Sequence, residues 1–233
     1  MLRPQTTDCT QHYFLGLDLG KRVDRSALAV LELHWQDHGF DRVWHAPLRR
    51  PVVRLIRAER FPLGMPYLDL PPILADVLRR LARLPLLPGN APQAYRQDLV
   101  VDAANAGAFL LEILQKQRLP ATLVPVSITG GEQENRLAGG IWSVPRPILF
   151  SNLRMLFEAG TLRIAQDLPG YRTLVEELLS AKASGPQRAH DDVAIAVALG
   201  AWRAAREIPQ LRQPHPQRVT ATKFLVNPGQ QII

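Results

Sequence analysis

A single cysteine, Cys9, is all the thiol chemistry in 233 residues, so an internal disulfide and any zinc site built from several cysteines are excluded. A reducing compartment is expected, and the reading is cytoplasmic. No apolar run approaches the ~18 residues that cross a bilayer. The first residues also lack the basic-then-apolar order of a secretory signal. Nowhere does the chain carry Gly-x-x-x-x-Gly-Lys-Ser/Thr, which excludes a P-loop motor. No internal repeat is visible. Acids are the minority charge: 28 Lys and Arg against 21 Asp and Glu leave a net charge of +7. That balance favours a polyanionic partner. Most of the positive charge is arginine, whose planar fork suits bidentate contact with phosphate.

What is present is ample apolar content, 46% of residues, enough to bury one full core. The reading is a leader over 1–11, one domain over 12–207 and a proline-containing tail over 208–233. Leu15, Leu17 and Leu19 alternate with Gly16, Asp18 and Gly20, the period of a strand with one packed face and one face carrying a carboxylate. The glycines flanking Asp18 are expected to leave open backbone where a phosphate or a hydrated metal can approach. Ala27 to Trp35 predicts a second strand ending at the turn signal Asp37-His38-Gly39. Phe40 to Trp44 and Val52 to Phe61 read as further extended segments interrupted at Pro47 and Pro51. Together they make an antiparallel meander. From Pro72 the apolar spacing becomes helical, with Arg79, Arg80 and Arg83 on the outer side.

Beyond a Pro/Gly loop, Leu99-Val100-Val101 reads as a buried strand closed by Asp102, Phe109 to Leu119 as a helix, and Leu123 to Val126 as another strand. A parallel pair joined by a right-handed crossover follows. Gly130 to Pro147 is expected to be a mobile or substrate-facing insertion. Helices over 148–159 and 171–181 enclose a short strand at 162–164. A polar loop, Ser184 to Arg188, leads to His190-Asp191-Asp192, which opens a helix apolar nearly all round, Val193 to Trp202. The class is α/β with a mixed central sheet.

Three acidic features therefore stand at element ends: Asp18, Asp102 and the pair Asp191-Asp192. In an open sheet, ligands gather at the carboxyl ends of central parallel strands, so Asp18 and Asp102 can be neighbours there. Carboxylates packed together repel, and a cation between them removes the penalty. Capping offers another reading for Asp102 and for Asp191 or Asp192, at the start of the following helix in each case. Asp18, inside a strand, has no capping role. An all-oxygen set suits Mg²⁺ or Mn²⁺ and not zinc. His190 is a ligand or a phosphate contact. Two such ions ~3.5 to 4 Å apart would hydrolyse a phosphodiester. Lys21, Arg22 and Arg25, with Arg188 and His190, are the candidates for holding a DNA backbone, or else part of an ordinary solvated surface.

The set Gly16-Leu17-Asp18-Leu19-Gly20 with Asp24 and Ser26, Val101-Asp102 with Gly107, Val124-Pro125-Val126 before Thr129-Gly130-Gly131, His190-Asp191-Asp192 with Ala194, Ala196 and Ala198, and Arg60 to Gly64 with Tyr67 resembles the nuclease domain of phage large terminase subunits. The resemblance runs from about Tyr13 to Trp202. It implies a ribonuclease H-like fold in which Asp18, Asp102 and Asp191 hold two Mg²⁺ or Mn²⁺ ions with Asp192 assisting. It also implies endonucleolytic cutting of concatemeric double-stranded viral DNA during packaging. A phage or prophage protein of a bacterial host is then expected, with a separate packaging ATPase, a small terminase or a portal protein as partners. Ala103-Ala104-Asn105-Ala106 departs from the glycine-richer pattern of that family. The other readings are a junction-resolving nuclease of the same fold, an actin-like ATPase and a non-catalytic DNA-binding scaffold.

Overall fold

The computed structural model describes residues 11–20, 24–43, 45–85, 95–104, 107–181 and 191–209. The chain enters as strand β1 (Gln11–Asp18), turns back as β2 (Ala27–Asp41) and again as β3 (Ala46–Arg60). Helix α1 (Leu70–Leu81), with prolines in its first turn, leads to β4 (Tyr95–Asp102). Then come α2 (Gly107–Lys116), β5 (Thr122–Thr129), β6 (Asn135–Arg136) and β7 (Trp142–Pro145). Helix α3 (Arg146–Glu158), β8 (Leu162–Ile164), α4 (Tyr171–Ser180) and α5 (Asp192–Ala205) complete the order. One eight-stranded sheet results, ordered β6-β7-β5-β4-β1-β2-β3-β8. β1, β2 and β3 form the antiparallel meander, whereas β1, β4, β5 and β7 run parallel and β6 is antiparallel to β7.

Two expectations need correction. The hairpin does not turn at Asp37 to Gly39; β2 continues to Asp41, and Gly39 sits beside a bulge where the register shifts between Asp37 and Gly39. Pro47 and Pro51 do not interrupt β3, because its far side pairs with β8 only over Val53 to Leu55 and needs no N–H from either proline. Gly130 to Pro147 is a built part of the sheet. It supplies β6 and β7, and Glu134 ties it to the last helix by accepting hydrogen bonds from Trp202 Nε1 at 3.0 Å and from Arg206.

Alternation along the strands sorts the core into two layers. Tyr13, Leu15, Leu17, Leu28, Val30, Leu99 and Val101 pack under α1 and α2. Phe14, Leu31, Val53, Leu55, Val100 and Val126 face the other way, toward α3, α4 and α5. Asp18 shares the parity of Phe14 and Gly16, and Asp102 that of Val100, so both carboxylates belong to the layer covered by α5.

The face of β1 read as open is in fact filled by protein. A β-carbon on Gly16 would lie 1.9 Å from the carbonyl oxygen of Ala196 and 2.9 Å from Gly200 N. One on Gly200 would lie 2.5 Å from Leu31 Cδ1. Helix and strand touch through backbone at this crossing, which only glycine permits. Gly20 is equally closed, since a β-carbon there would be 2.3 Å from Asp24 O. The glycines serve packing.

Candidate active site

The crossing at Gly16 sets where the acids fall. Ala196 lies over Gly16, and the later Gly200 lies within reach of the earlier Phe14, so α5 runs antiparallel to β1. One helical turn back from Ala196, about 6 Å of rise, is Asp192; two strand residues forward from Gly16, about 6.6 Å, is Asp18. The start of α5 is thereby laid against the end of β1. On the other side Leu17 pairs in register with Val101, so Asp18 and Asp102 end adjacent parallel strands side by side.

All four aspartates are buried, with exposures of 4% for Asp18, Asp102 and Asp191 and 6% for Asp192. They are close enough to act on each other's ionisation. Burial pushes the Asp18 carboxyl well above the usual carboxylate range, and the charges of Asp102, Asp192 and Asp191 push it further, while Arg146 opposes them. Thus the acids predicted from three distant stretches are brought together. Among the described residues, however, no three His, Cys, Asp or Glu side chains meet tightly enough as they stand to enclose an ion. Arg146 lies on the cluster instead, its guanidinium donating to Asp191 Oδ2 at 2.5 Å.

The capping alternative fails for Asp191, which occupies the N-cap position of α5 without a side-chain hydrogen bond to the helix. That role passes to Glu177 on α4, whose Oε1 accepts from Ala194 N at 2.9 Å. Its Oε2 accepts from Arg60, and Arg60 Nε also approaches Asp192 Oδ2 at 3.7 Å. Burial raises the Glu177 carboxyl, an effect that the Ala194 N–H and Arg60 oppose. With Glu177 capping the helix, the two aspartates turn to other partners. Asp102 closes a local turn, Oδ1 accepting from Ala104 N at 2.9 Å.

The residues fit a divalent ion on two observations. Asp191 Oδ1 is buried with no hydrogen-bond partner among the described residues. The donors are all carboxylate oxygens, the set that hard cations prefer. The helix N-terminus beside them favours negative charge independently of any ion.

Of the phosphate candidates, Arg25 is exposed just beyond the Gly20 turn. Lys21, Arg22, Arg188 and His190 lie outside the described residues. Sequence reasoning gave no role to Arg146 or Glu177, and it gave Arg60 and Tyr67 no chemistry. Tyr67 donates its hydroxyl to Gly20 O, and its ionisation is raised by burial and then by the Asp18 charge. Arg60 directly precedes the segment Phe61 to Gly64 and was within reach of inspection. For Glu177 no local signal existed.

No protein-family model matches the sequence, and neither does any curated protein. Among solved structures the chain is similar to the large terminase nuclease from thermophilic phage G20c, with 20% identity over 85% of this chain and 82% of that one, at a TM-score of 0.46. It is similar also to the manganese-soaked human cytomegalovirus terminase nuclease domain, with 13% identity over 86% of both chains and a TM-score of 0.49. An inhibitor-bound form of that domain gives 12% identity over 84% of both chains and a TM-score of 0.49. On its own strand order, with β3-β2-β1 antiparallel and β1-β4-β5 parallel, the chain has a ribonuclease H-like architecture.

Proposed function

We propose that this chain is a divalent-metal-dependent endonuclease of double-stranded DNA, of the terminase type that its sequence resembles, with its working domain over 12–207. The observation that carries the reading is the burial of Asp18, Asp102, Asp191 and Asp192 in one electrostatically coupled group. Four clustered, desolvated carboxylates cost stability unless positive charge is supplied, and the described ion pairs there, Arg146 with Asp191 and Arg60 between Glu177 and Asp192, set two cations against five carboxylates. Asp18, Asp102 and Asp191 would hold Mg²⁺ or Mn²⁺, with Asp192 beside them. Such ions polarise a phosphodiester and make a bound water nucleophilic near neutral pH.

The protein's own part is to hold DNA in place and keep the acids aimed. Arg25 meets the backbone at the exposed rim, and Lys21, Arg22, Arg188 and His190 are proposed to extend that contact. Binding through these groups is largely independent of sequence. A packaging ATPase, small terminase or portal protein in a bacterial host's cytoplasm would be the setting that fits. Among the described residues no helix is long and apolar enough to cross a membrane.

The test is nicking of supercoiled plasmid in Mn²⁺. Wild-type protein should nick and stop on addition of chelator, while Asp102→Ala, checked for retained fold by circular dichroism, should show no cleavage above background. Full activity in Asp102→Ala would overturn the assignment.

A further inference from the structure

The first turn of α5 needs acceptors for its N–H groups, because a helix N-terminus leaves them without partners inside the helix. Asp is among the side chains that supply them best, and Asp191 holds the N-cap position, its carbonyl accepting the first helical bond from Ile195 N at 2.9 Å. Its carboxylate nonetheless makes no capping bond. The backbone shows why. Capping residues are typically extended, whereas Asp191 has φ −104° and ψ 18°, in the sparsely populated bridge between the helical and extended regions. Its carboxylate stays with the acids instead: Oδ2 accepts from Arg146 at 2.5 Å, and Oδ1 is buried with no hydrogen-bond partner among the described residues.

The cap comes from another helix. Glu177 lies in the last turn of α4, flanked by Leu174 and Leu178, which anchor that helix in the core. Its Oε1 accepts from Ala194 N at 2.9 Å, the N–H in the third helical position of α5 that a capping side chain on Asp191 would itself take. Helix N–H groups and a divalent ion draw on the same carboxylate oxygens. An Asp191 that capped α5 would therefore have to release the helix in order to bind metal.

We propose that Glu177 is a positioning residue for the metal site: by capping α5 from α4 it relieves Asp191 of that role and leaves the Asp191 carboxylate facing the ion. Glu177 acts through Asp191 and is not itself a ligand. The metal half of this inference rests on the nuclease reading; the capping half does not, and the test separates them.

Capping is measured without metal, in EDTA, on variants confirmed folded by circular dichroism. Asp191→Ala should lower the Tm by about 2–4 °C more in a Glu177→Ala background than in wild-type protein, the shift that one lost cap gives in a chain of this size, because only there does Asp191 hold the helix. In a Glu177→Gln background, which keeps an acceptor for Ala194 N, no such excess should appear. Equal shifts in the wild-type and Glu177→Ala backgrounds would overturn the proposal. Metal is then measured by calorimetry with Mn²⁺ and by the Mn²⁺ concentration that gives half-maximal plasmid nicking. Glu177→Ala should need roughly 5-fold more Mn²⁺, the factor that a helix cap is worth, and its rate at saturating Mn²⁺ should change less than that requirement. Glu177→Gln should stay near wild type. A merely structural Glu177 would lower the Tm and leave the Mn²⁺ requirement unmoved; that result, or a loss in Glu177→Gln as large as in Glu177→Ala, would overturn the role and leave the nuclease reading standing. If wild-type protein binds no Mn²⁺, the nuclease reading falls and the positioning role with it, while the comparison in EDTA still decides whether Glu177 holds Asp191 off the helix.

Discussion

At the residue scale, Asp18 is the group on which the other charges converge. Its ionisation is held up by burial first and by three neighbouring carboxylates next. A carboxyl whose folded pKa is raised contributes in full only at pH below its unfolded value, and that contribution is lost progressively as pH rises through the folded pKa. At neutral pH in chelator, wild-type protein therefore carries a penalty that an uncharged isostere removes. Asp18→Asn should melt higher than wild type in EDTA, by roughly 2–4 °C for each kcal/mol relieved. The advantage should shrink as pH is lowered toward the unfolded carboxylate value. Mn²⁺ should raise the Tm of wild type and leave Asp18→Asn unmoved. A lower Tm for Asp18→Asn in EDTA would mean that Asp18 is held by donors and not strained by neighbours. The presence of the acids was legible because each stands at the end of an apolar run. Their supporting residues were not. Glu177 meets Arg60 across 117 residues of sequence, and Arg146 meets Asp191 across 45, so no local pattern could announce either pair.

At the scale of elements, the contact between α5 and β1 governs the site. Gly16→Ala places a methyl where the Ala196 carbonyl stands, and α5 must move off the sheet. The expected cost is at least the ~1–3 kcal/mol typical of an overpacked core, read from urea denaturation. Mn²⁺ affinity should fall as well, because Asp191 and Asp192 ride on the same helix. A variant of unchanged stability would show that the helix does not touch the strand there. The glycine was visible in the sequence, but its purpose was not. Alternation told that Gly16 shared a face with Asp18, and an empty face invited a ligand; only the all-round apolar character of α5 hinted that something must cover it. The meander and the parallel β4-β5 pair followed from alternation and from the intervening helix. β6 and β7 escaped because two- and four-residue strands carry too little period to detect.

At the scale of the whole molecule, the net charge of +7 predicts DNA affinity that falls linearly in a plot of log K against log salt. Arg25→Ala should lower the magnitude of that slope by about 1 with little sequence preference lost, measured by fluorescence anisotropy between low and moderate salt. An unchanged slope would remove Arg25 from the interface. Composition alone carries this prediction; where on the surface a polyanion would sit depends on the fold.

Because β1 begins at the pole where α5 finishes, the first and last described segments end near each other. His12 and Asp98, at 3.4 Å, and Arg203 and Asp98, at 2.6 Å, fasten that pole. Cargo fused at either junction, whether an affinity tag, a fluorophore or a neighbouring module, would attach at the opposite end of the sheet from the aspartates. Joining the two junctions with a short linker and opening the chain at the β2–β3 tip should give a circular permutant that still folds.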